Sequence, residues 1–191
     1  DRLAVDRPRT AMVVRRALVR LGVAVRQHDE AELLVLVQLA RAERRLRAEL
    51  DTTRAQTLVF GGVYIEFPPA TYFGDTWGWD GRAWAQVAAA GPTPRTLAAM
   101  AYDSARAVSV LFGGSNNAAY SSETWEWDGV AWSLRSAIGP AGRASHAMAY
   151  DSARRVTVLF GGVASGSLGD TWEWDGRSWQ PRTVPGPIPR Y

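Results

Sequence analysis

Cysteine and lysine are both absent from this sequence of 191 residues, and histidine occurs only twice. Without cysteine the chain can form no disulfide, no thiolate metal site and no cysteine nucleophile. Two histidines far apart in the sequence are too few for a metal site of the usual type. The longest candidate for a membrane-spanning helix, Ala31–Ala40, spans ten residues and is flanked by charge, whereas a span needs 18 or more. The sequence therefore predicts no metal, no cofactor and no membrane span.

Excess positive charge is confined to one part of the chain. The formal net charge is +3. Residues 1–50 carry 11 Arg against 7 acidic residues, a net of +4, whereas residues 51–191 carry 11 Arg against 12 acidic residues, a net of −1. A surface that binds a phosphate backbone is basic. The larger part of the chain has no such surface, so no nucleic-acid partner is predicted.

The Arg-rich segment 1–50 differs from the rest of the chain because it contains no aromatic residue. Asp29 can cap a helix, with Glu32 three residues later, and apolar residues follow near a 3.6-residue period. The pattern predicts one amphipathic helix over Asp29–Leu50. Its arginine face fits either a solvated side of a packing helix or a contact with a membrane surface or acidic partner. An alternative origin for the segment is an out-of-frame reading of GC-rich DNA.

All nine tryptophans lie in three copies of one motif. The copies are Thr76–Trp84, Thr124–Trp132 and Thr171–Trp179. The spacing Trp-x-Trp places both rings on one face of a strand. The Asp-Gly dipeptide that follows tolerates the positive φ of a two-residue hairpin turn. Each copy therefore predicts a β-hairpin.

Other features recur with nearly the same period. The double glycines Gly61-Gly62, Gly113-Gly114 and Gly161-Gly162 are spaced by 52 and 48 residues, and Arg95, Arg143 and Arg190 each follow a Gly-Pro pair. A period near 50 with four strand-like segments predicts propeller blades, in repeats of about 51–94, 95–142 and 143–189. In the third repeat, the predicted strands are Ser145–Tyr150, Arg155–Phe160, Thr171–Trp174 and Ser178–Arg182.

The third repeat resembles the kelch motif in four segments. They are Met148-Ala149-Tyr150-Asp151, Val158-Leu159-Phe160-Gly161-Gly162, Asp170-Thr171-Trp172 and Trp179. The resemblance covers residues 51–191 and implies an all-β partial propeller of three four-stranded antiparallel blades. The first blade is expected to be incomplete, because the sequence around Leu50 does not match Met100-Ala101-Tyr102. Kelch propellers usually close with five to seven blades, so the resemblance implies a fragment that meets further blades or self-associates through its exposed faces.

Most of the repeated residues fit structural roles. The double glycines suit a close approach of two backbones or a bulge. A packing layer between blades accounts for tryptophans at the same phase of every repeat, namely Trp77, Trp84, Trp125, Trp132, Trp172 and Trp179. Asp80, Asp128 and Asp175 precede glycine and fit hairpin turns. His146 fits a strand position better than a catalytic one, so no catalytic residue is assigned. Copper oxidases built on kelch propellers need a cysteine, which this chain lacks.

Length variation between repeats points to a binding surface. It is confined to the connections from the second to the third strand, Val63–Gly74, Ser115–Ser122 and Val163–Gly169. Loops on a rigid scaffold often carry function. The candidate contact residues are Tyr64, Glu66, Phe67, Tyr72, Phe73, Asn116, Asn117 and Tyr120. Alternatively, the first of these loops folds back over an open blade edge.

These observations predict a non-catalytic binding or scaffolding module that contacts a protein or glycan through its strand 2–3 and 4–1 loops. An alternative is part of a kelch-propeller enzyme acting on sugars, an epimerase or a hydrolase whose site lies largely elsewhere. For that alternative only Glu66, Arg95 and Arg143 qualify as site residues. A third interpretation is a structural repeat of a large surface protein. The Trp-Glu-Trp-Asp-Gly repeats and the missing lysine suggest a bacterial origin, and an extracellular or envelope location is the accompanying hypothesis.

Overall fold

The structure is a computed structural model that describes residues 48–51, 54–65, 70–116, 119–183 and 185–191. Within these ranges the protein is all-β, with twelve strands in three antiparallel sheets and no helix. The predicted helix Asp29–Leu50 lies outside the described residues except for its last three. Those three belong to a strand, so the helix prediction is wrong at its C-terminal end.

The first sheet has four strands in chain order. They are β1 (Ala48–Asp51), β2 (Gln56–Tyr64), β3 (Thr71–Trp79) and β4 (Trp84–Ala88). The expectation of an incomplete first repeat is therefore wrong, because β1 pairs with β2 from Ala48 opposite Val59 to Asp51 opposite Gln56. A strand needs only backbone pairing, which Ala48–Asp51 supplies without the Met-Ala-Tyr sequence of the other repeats.

The second and third sheets repeat this arrangement. The second comprises β5 (Ala99–Asp103), β6 (Val108–Phe112), β7 (Thr124–Trp127) and β8 (Trp132–Ser136). The third comprises β9 (Ala147–Asp151), β10 (Val156–Val163), β11 (Ser167–Trp174) and β12 (Trp179–Arg182). All four strands predicted for the third repeat are present. The middle two are longer than predicted, because β10 and β11 continue pairing beyond the double glycine to Val163 opposite Ser167.

Each Trp-x-Trp-Asp-Gly motif forms a hairpin whose loop is longer than predicted. In the second sheet, Trp127 pairs with Trp132, so four residues form the loop instead of two. Asp128 Oδ1 accepts hydrogen bonds from the backbone N–H groups of Val130 and Ala131, both at 2.8 Å. Equivalent bonds reach Asp80 and Asp175 in the other two hairpins. The aspartate is thus needed as a side-chain acceptor that closes the loop.

A second repeated turn joins the first two strands of each sheet. Asp103 Oδ1 accepts hydrogen bonds from the backbone N–H groups of Ala105 and Arg106, and its Oδ2 accepts one from Arg106 Nε at 2.7 Å. Asp151 and Arg154 repeat this arrangement, and Asp51 and Arg54 form the same ion pair in the first sheet. The turn thus depends on an Asp and an Arg three residues apart.

The hydrophobic core lies between successive sheets. One cluster joins Phe60 of the first sheet to Leu111 of the second, and another joins Phe112 of the second sheet to Leu159 and Trp179 of the third. Leu111 and Phe112 are adjacent on β6, so their side chains point to opposite faces. Both have 0% exposure, so the second sheet is covered on both faces.

Candidate functional site

The segment that connects each sheet to the next is anchored on a double glycine. Arg95 donates its backbone N–H to the Phe73 carbonyl at 3.0 Å, and its carbonyl accepts a hydrogen bond from Gly62 at 2.9 Å. Gly61 has φ +62°, and a Cβ there would lie 2.5 Å from the Arg95 carbonyl oxygen. Only glycine fits so close to another backbone at positive φ. The backbone of the connecting segment therefore packs directly against the double glycine.

The side chain of Arg95 reaches forward to the second sheet and is 3% exposed. Nη1 donates to the Gly113 carbonyl at 3.3 Å and to Ser121 Oγ at 2.6 Å. Nη2 donates to Thr93 Oγ1 and to Glu123 Oε2, both at 2.6 Å, and Nε donates to the Thr93 carbonyl at 2.9 Å. All five N–H groups of the guanidinium are thus used within the protein. Arg95 holds the connecting segment against the loop of the second sheet and has no N–H left for a ligand.

A cleft of about 300 Å³ opens between this connecting segment and the loop from β6 to β7. The two segments meet because strands that run alternately up and down place both connections at the same end of a sheet. The isolated bridge between Thr96 and Ser115 ties them together. The lining residues are Thr93, Pro94, Arg95, Gly114, Ser115, Asn116, Ala119, Tyr120, Ser121, Ser122 and Glu123.

Glu123 supplies the negative charge of the cleft. Its Oε2 accepts hydrogen bonds from Arg95 Nη2 and from Trp125 Nε1, the latter at 3.1 Å. Burial alone would raise the pKa of Glu123, but these hydrogen bonds outweigh it and lower the pKa below its usual value. No described residue donates a hydrogen bond to Oε1. Glu123 thus presents an ionised carboxylate with one oxygen available to a donor.

Tyr120 and Asn116 supply neutral polar groups beside this carboxylate. Tyr120 is 43% exposed, and Asn116 is exposed as well. The Asn116 Oδ1 atom accepts a hydrogen bond from the backbone N–H of Ala119 at 3.3 Å, which fixes the loop around it. An aromatic ring with a hydroxyl offers a rigid amphipathic contact at low entropic cost. Together these groups suit a ligand rich in hydroxyl or amide groups.

The structure brings two of the eight predicted contact residues, Asn116 and Tyr120, to the cleft. Tyr64 lies in β2, and Tyr72 and Phe73 lie in β3, where Gly62 pairs with Phe73 and Val63 pairs with Tyr72. These aromatics therefore belong to a strand pair, and the loop predicted over Val63–Gly74 is shorter than expected. The remaining three predicted residues, Glu66, Phe67 and Asn117, lie outside the described residues.

Two polar residues that line the cleft, Thr93 and Glu123, lie outside the loop predicted over Ser115–Ser122 and were not singled out from the sequence. Thr93 lies inside a Gly-Pro-x-x-Arg segment, of which only the recurring Gly-Pro pair and arginine were noted in the sequence. Glu123 stands immediately before the Trp-containing motif, where Asp75 and Asp170 stand in the other repeats. The larger side chain at that one position was the available signal.

The tryptophans predicted to pack between repeats fall into two groups. Trp132 Nε1 donates to Thr76 Oγ1 and Trp179 Nε1 donates to Thr124 Oγ1, both at 2.8 Å and both between sheets. Trp84 occupies the equivalent position in the first sheet and lies beside Trp79 of the same sheet, with ring centroids 5.5 Å apart. The indoles of Trp77, Trp125 and Trp172 donate to the acids Asp75, Glu123 and Asp170. In this second group, each tryptophan holds the acidic residue that precedes it by two positions.

His146 is 1% exposed, and its ring lies edge-on to Phe112 with centroids 5.5 Å apart. It is thus a buried core residue. The part of the chain that the structure describes holds no group of three or more His, Asp or Glu side chains able to bind a metal ion. Within the same described residues there is no helix long and apolar enough to cross a membrane.

No protein-family model matches the sequence, and no curated protein matches it at a significant level.

Proposed function

We propose that this protein is a kelch-type propeller segment that acts as a non-catalytic binding module for a glycan or a polypeptide. Three features support the propeller interpretation: three four-stranded antiparallel sheets in chain order, a period near 50 residues, and the same contacts repeated between successive sheets. Radial repetition of such sheets is the architecture of a propeller.

The cleft at the second sheet is the observation that carries the binding function. The connection from β10 to β11 is only Ala164–Gly166, because those strands continue past the double glycine. The corresponding connection of the second sheet runs over residues 113–123 and forms one wall of the cleft. The repeat therefore departs from its regular pattern at the place where Asn116 and Tyr120 are exposed and Glu123 is partly exposed. A departure of this kind on a rigid scaffold favours a binding role.

The chemistry of the cleft favours binding over catalysis. Among the described residues that line it, Glu123 is the one carboxylate. Glycoside hydrolysis normally needs two carboxyl groups facing one another across the scissile bond. Arg95 and Arg143, the arginines considered for an enzyme, are 3% and 1% exposed and hold the connecting segments in place.

The test is a binding screen of the full chain on an array of neutral and acidic oligosaccharides and on a peptide array. Titration of the strongest hit follows by calorimetry. We expect Tyr120→Ala and Glu123→Gln each to weaken binding about tenfold, which corresponds to about 1.4 kcal/mol. Tyr64→Ala is the matched control, because Tyr64 is similarly exposed at 39% but does not line the cleft. Absence of any hit, or equal loss in Tyr64→Ala, would contradict the proposal.

A further inference from the structure

Successive sheets are joined by one set of contacts that occurs twice in the chain. We call the side of a sheet turned toward the next sheet in sequence its forward face, and the opposite side its backward face. The forward face and the following connecting segment contribute a phenylalanine, a threonine and two arginines. The backward face of the next sheet contributes a tryptophan, an acid and a turn glycine. Each contact thus has two complementary halves.

The first contact is an ion pair. Arg95, which follows the first sheet, pairs with Glu123 of the second sheet at 2.6 Å. Arg143, which follows the second sheet, pairs with Asp170 of the third sheet, also at 2.6 Å. Both arginines are almost fully buried, at 3% and 1% exposure. An ion pair between equivalent residues therefore recurs at both boundaries between sheets, through one oxygen of Glu123 and through both oxygens of Asp170.

The second contact is a tryptophan inserted against a phenylalanine and a threonine. The Trp132 ring lies edge-on to Phe60 at 5.5 Å and the Trp179 ring lies edge-on to Phe112 at 5.3 Å. The two indole N–H groups donate to Thr76 and Thr124, which are both 0% exposed. The contact buries apolar area and satisfies the indole N–H at once.

The third contact places an arginine over the glycine of a hairpin loop. Arg54 of the first sheet covers Gly129 of the second, and its Nη2 donates to the Asp128 carbonyl. Arg106 of the second sheet covers Gly176 of the third, where a Cβ would lie 2.7 Å from the guanidinium carbon.

At the forward face of the third sheet, the same residue types are present without these partners. Phe160 and Thr171 are partly exposed, whereas Phe112 and Thr124 at the equivalent positions have 0% exposure. Arg190 is exposed, and its Nε donates to the Ile188 carbonyl at 3.2 Å as Arg143 Nε does to its own segment. No described residue accepts a hydrogen bond from the Nη atoms of Arg190. Arg154, at the position of Arg106, is 54% exposed and pairs with Asp151 and Glu173 of its own sheet. This face therefore holds one unmatched half of each contact.

The backward face of the first sheet holds the other halves. Asp75 occupies the position of Glu123 and Asp170, and among the described residues it accepts only the indole N–H of Trp77, at 2.7 Å. The Trp84 indole N–H donates to no described residue. Nothing lies within 4 Å of where a Cβ at Gly81 would be, although the equivalent glycines are covered by arginine.

We propose that the forward face of the third sheet binds the backward face of the first sheet of a second copy of this chain. Arg190 then pairs with Asp75 of the second copy, and Trp84 of the second copy inserts against Phe160 and Thr171. Arg154 covers Gly81. The two faces are complementary in charge and in hydrogen bonding, since the chain uses the same pairing at both of its internal boundaries.

The pairing is heterologous, because each copy contributes a different face. A heterologous contact closes into a ring when the rotation permits and otherwise continues as an open chain. The three sheets of the described residues, taken from each of two copies, make six, which is within the four to eight blades of known propellers, whereas three copies would exceed that range. The expected assembly is a closed dimer. This number rests on the propeller interpretation proposed above, whereas the pairing of the faces rests on the contacts alone.

The test is the mass of the full chain in solution, measured by light scattering and sedimentation over a range of concentrations. We expect a single species of twice the 20.9 kDa chain mass. Arg190→Glu and Asp75→Arg should each raise the dissociation constant at least tenfold, because like charges then face one another. The double variant carrying both changes should restore the dimer. Arg177→Glu, at an exposed hairpin position, is the control and should leave the mass unchanged.

Two results would overturn the proposed pairing: a monomer at every concentration, or a dimer that Arg190→Glu leaves intact. A series of species larger than the dimer would overturn the closed ring. Both charge-reversal positions lie at the surface or partly exposed, so far-ultraviolet circular dichroism can verify that the variants fold. The outcome is independent of ligand binding, since the cleft belongs to the second sheet. Tyr120→Ala should not alter the mass, and a charge-reversal variant should keep the cleft.

Discussion

Arg143 and Asp170 form a bidentate ion pair, with Nη1–Oδ1 at 2.6 Å and Nη2–Oδ2 at 2.8 Å. The pair joins the segment that follows the second sheet to the third sheet. Arg143 is 1% exposed and Asp170 is 41% exposed. The guanidinium is therefore the buried charge of the pair, and the carboxylate neutralises it. A third bond, from Nη1 to the Gly161 carbonyl at 3.0 Å, ties the same guanidinium to the double glycine of the third sheet.

Asp170→Asn should destabilise the protein because it leaves the buried Arg143 guanidinium without a counter-charge. Removing one partner of such a pair typically costs about 3 to 5 kcal/mol. Urea unfolding followed by tryptophan fluorescence measures the change. Asp170→Glu is the matched control, since Glu123 fills the same role toward Arg95 in the second sheet. Equal losses in the two variants would contradict a role for the charge.

The same ion pair should make the free energy of unfolding depend on pH. The hydrogen bond from Arg143, followed by that from Trp172, lowers the pKa of Asp170 below its usual 3.8. A carboxyl group with a lowered pKa in the folded state contributes stability above the unfolded pKa and loses it as the pH falls through the folded one. The urea midpoint of the wild type should therefore fall toward Asp170→Asn between about pH 5 and pH 2. A constant gap between the two proteins over this range would contradict the assignment.

The repeat period allowed the strands of the third repeat to be predicted, because alternating apolar residues and turn pairs mark them. Strand β1 was missed because Ala48–Asp51 lacks the aromatic residue of its counterparts. The spacing of Asp51 and Arg54 repeats that of Asp103 and Arg106, and this turn signal could have revealed the strand. The Asp-x-x-Arg turn is thus a better marker of the repeat than strand composition.

The candidate site was only partly predictable. Asn116 and Tyr120 were found because the length of their loop breaks the repeat. Glu123 was not, since a carboxylate before the Trp motif is common to all three repeats and becomes a cleft residue only through tertiary contact with Arg95. The recurrence of Arg95, Arg143 and Arg190 was visible in the sequence, but their acidic partners lie about 28 residues further on, at Glu123 and Asp170. Sequence spacing does not reveal pairs that form between sheets.

Thr124→Val should weaken the contact between the second and third sheets. The substitution keeps the shape of the side chain but removes the hydroxyl that accepts the Trp179 indole N–H at 2.8 Å. A buried donor left unsatisfied costs about 1 to 3 kcal/mol. Thr124→Ser keeps the hydroxyl and removes only a methyl group, so it should cost less. The comparison uses the urea midpoint, and a Val variant as stable as the Ser variant would show that the hydroxyl does not matter.

Gly113→Ala should disrupt the packing of the connecting segment against the double glycine of the second sheet. Gly113 has φ +71°, and a Cβ there would lie 2.5 Å from the Arg143 carbonyl oxygen and 2.9 Å from the His146 ring. Positive φ costs alanine about 1 kcal/mol, and the clash with a backbone atom adds to it, so we expect a loss of at least about 2 kcal/mol.

Gly166→Ala is the matched control for this substitution, because nothing lies within 4 Å of a Cβ at that position. Its effect should stay within about 0.5 kcal/mol, as for an ordinary surface change. The Gly113 variant should also release Gly114, whose N–H donates to the Arg143 carbonyl at 2.9 Å. Hydrogen exchange at the Gly114 amide would report this directly. Unchanged protection of that amide would mean that the connecting segment is held by the Arg143 side chain and not by the double glycine.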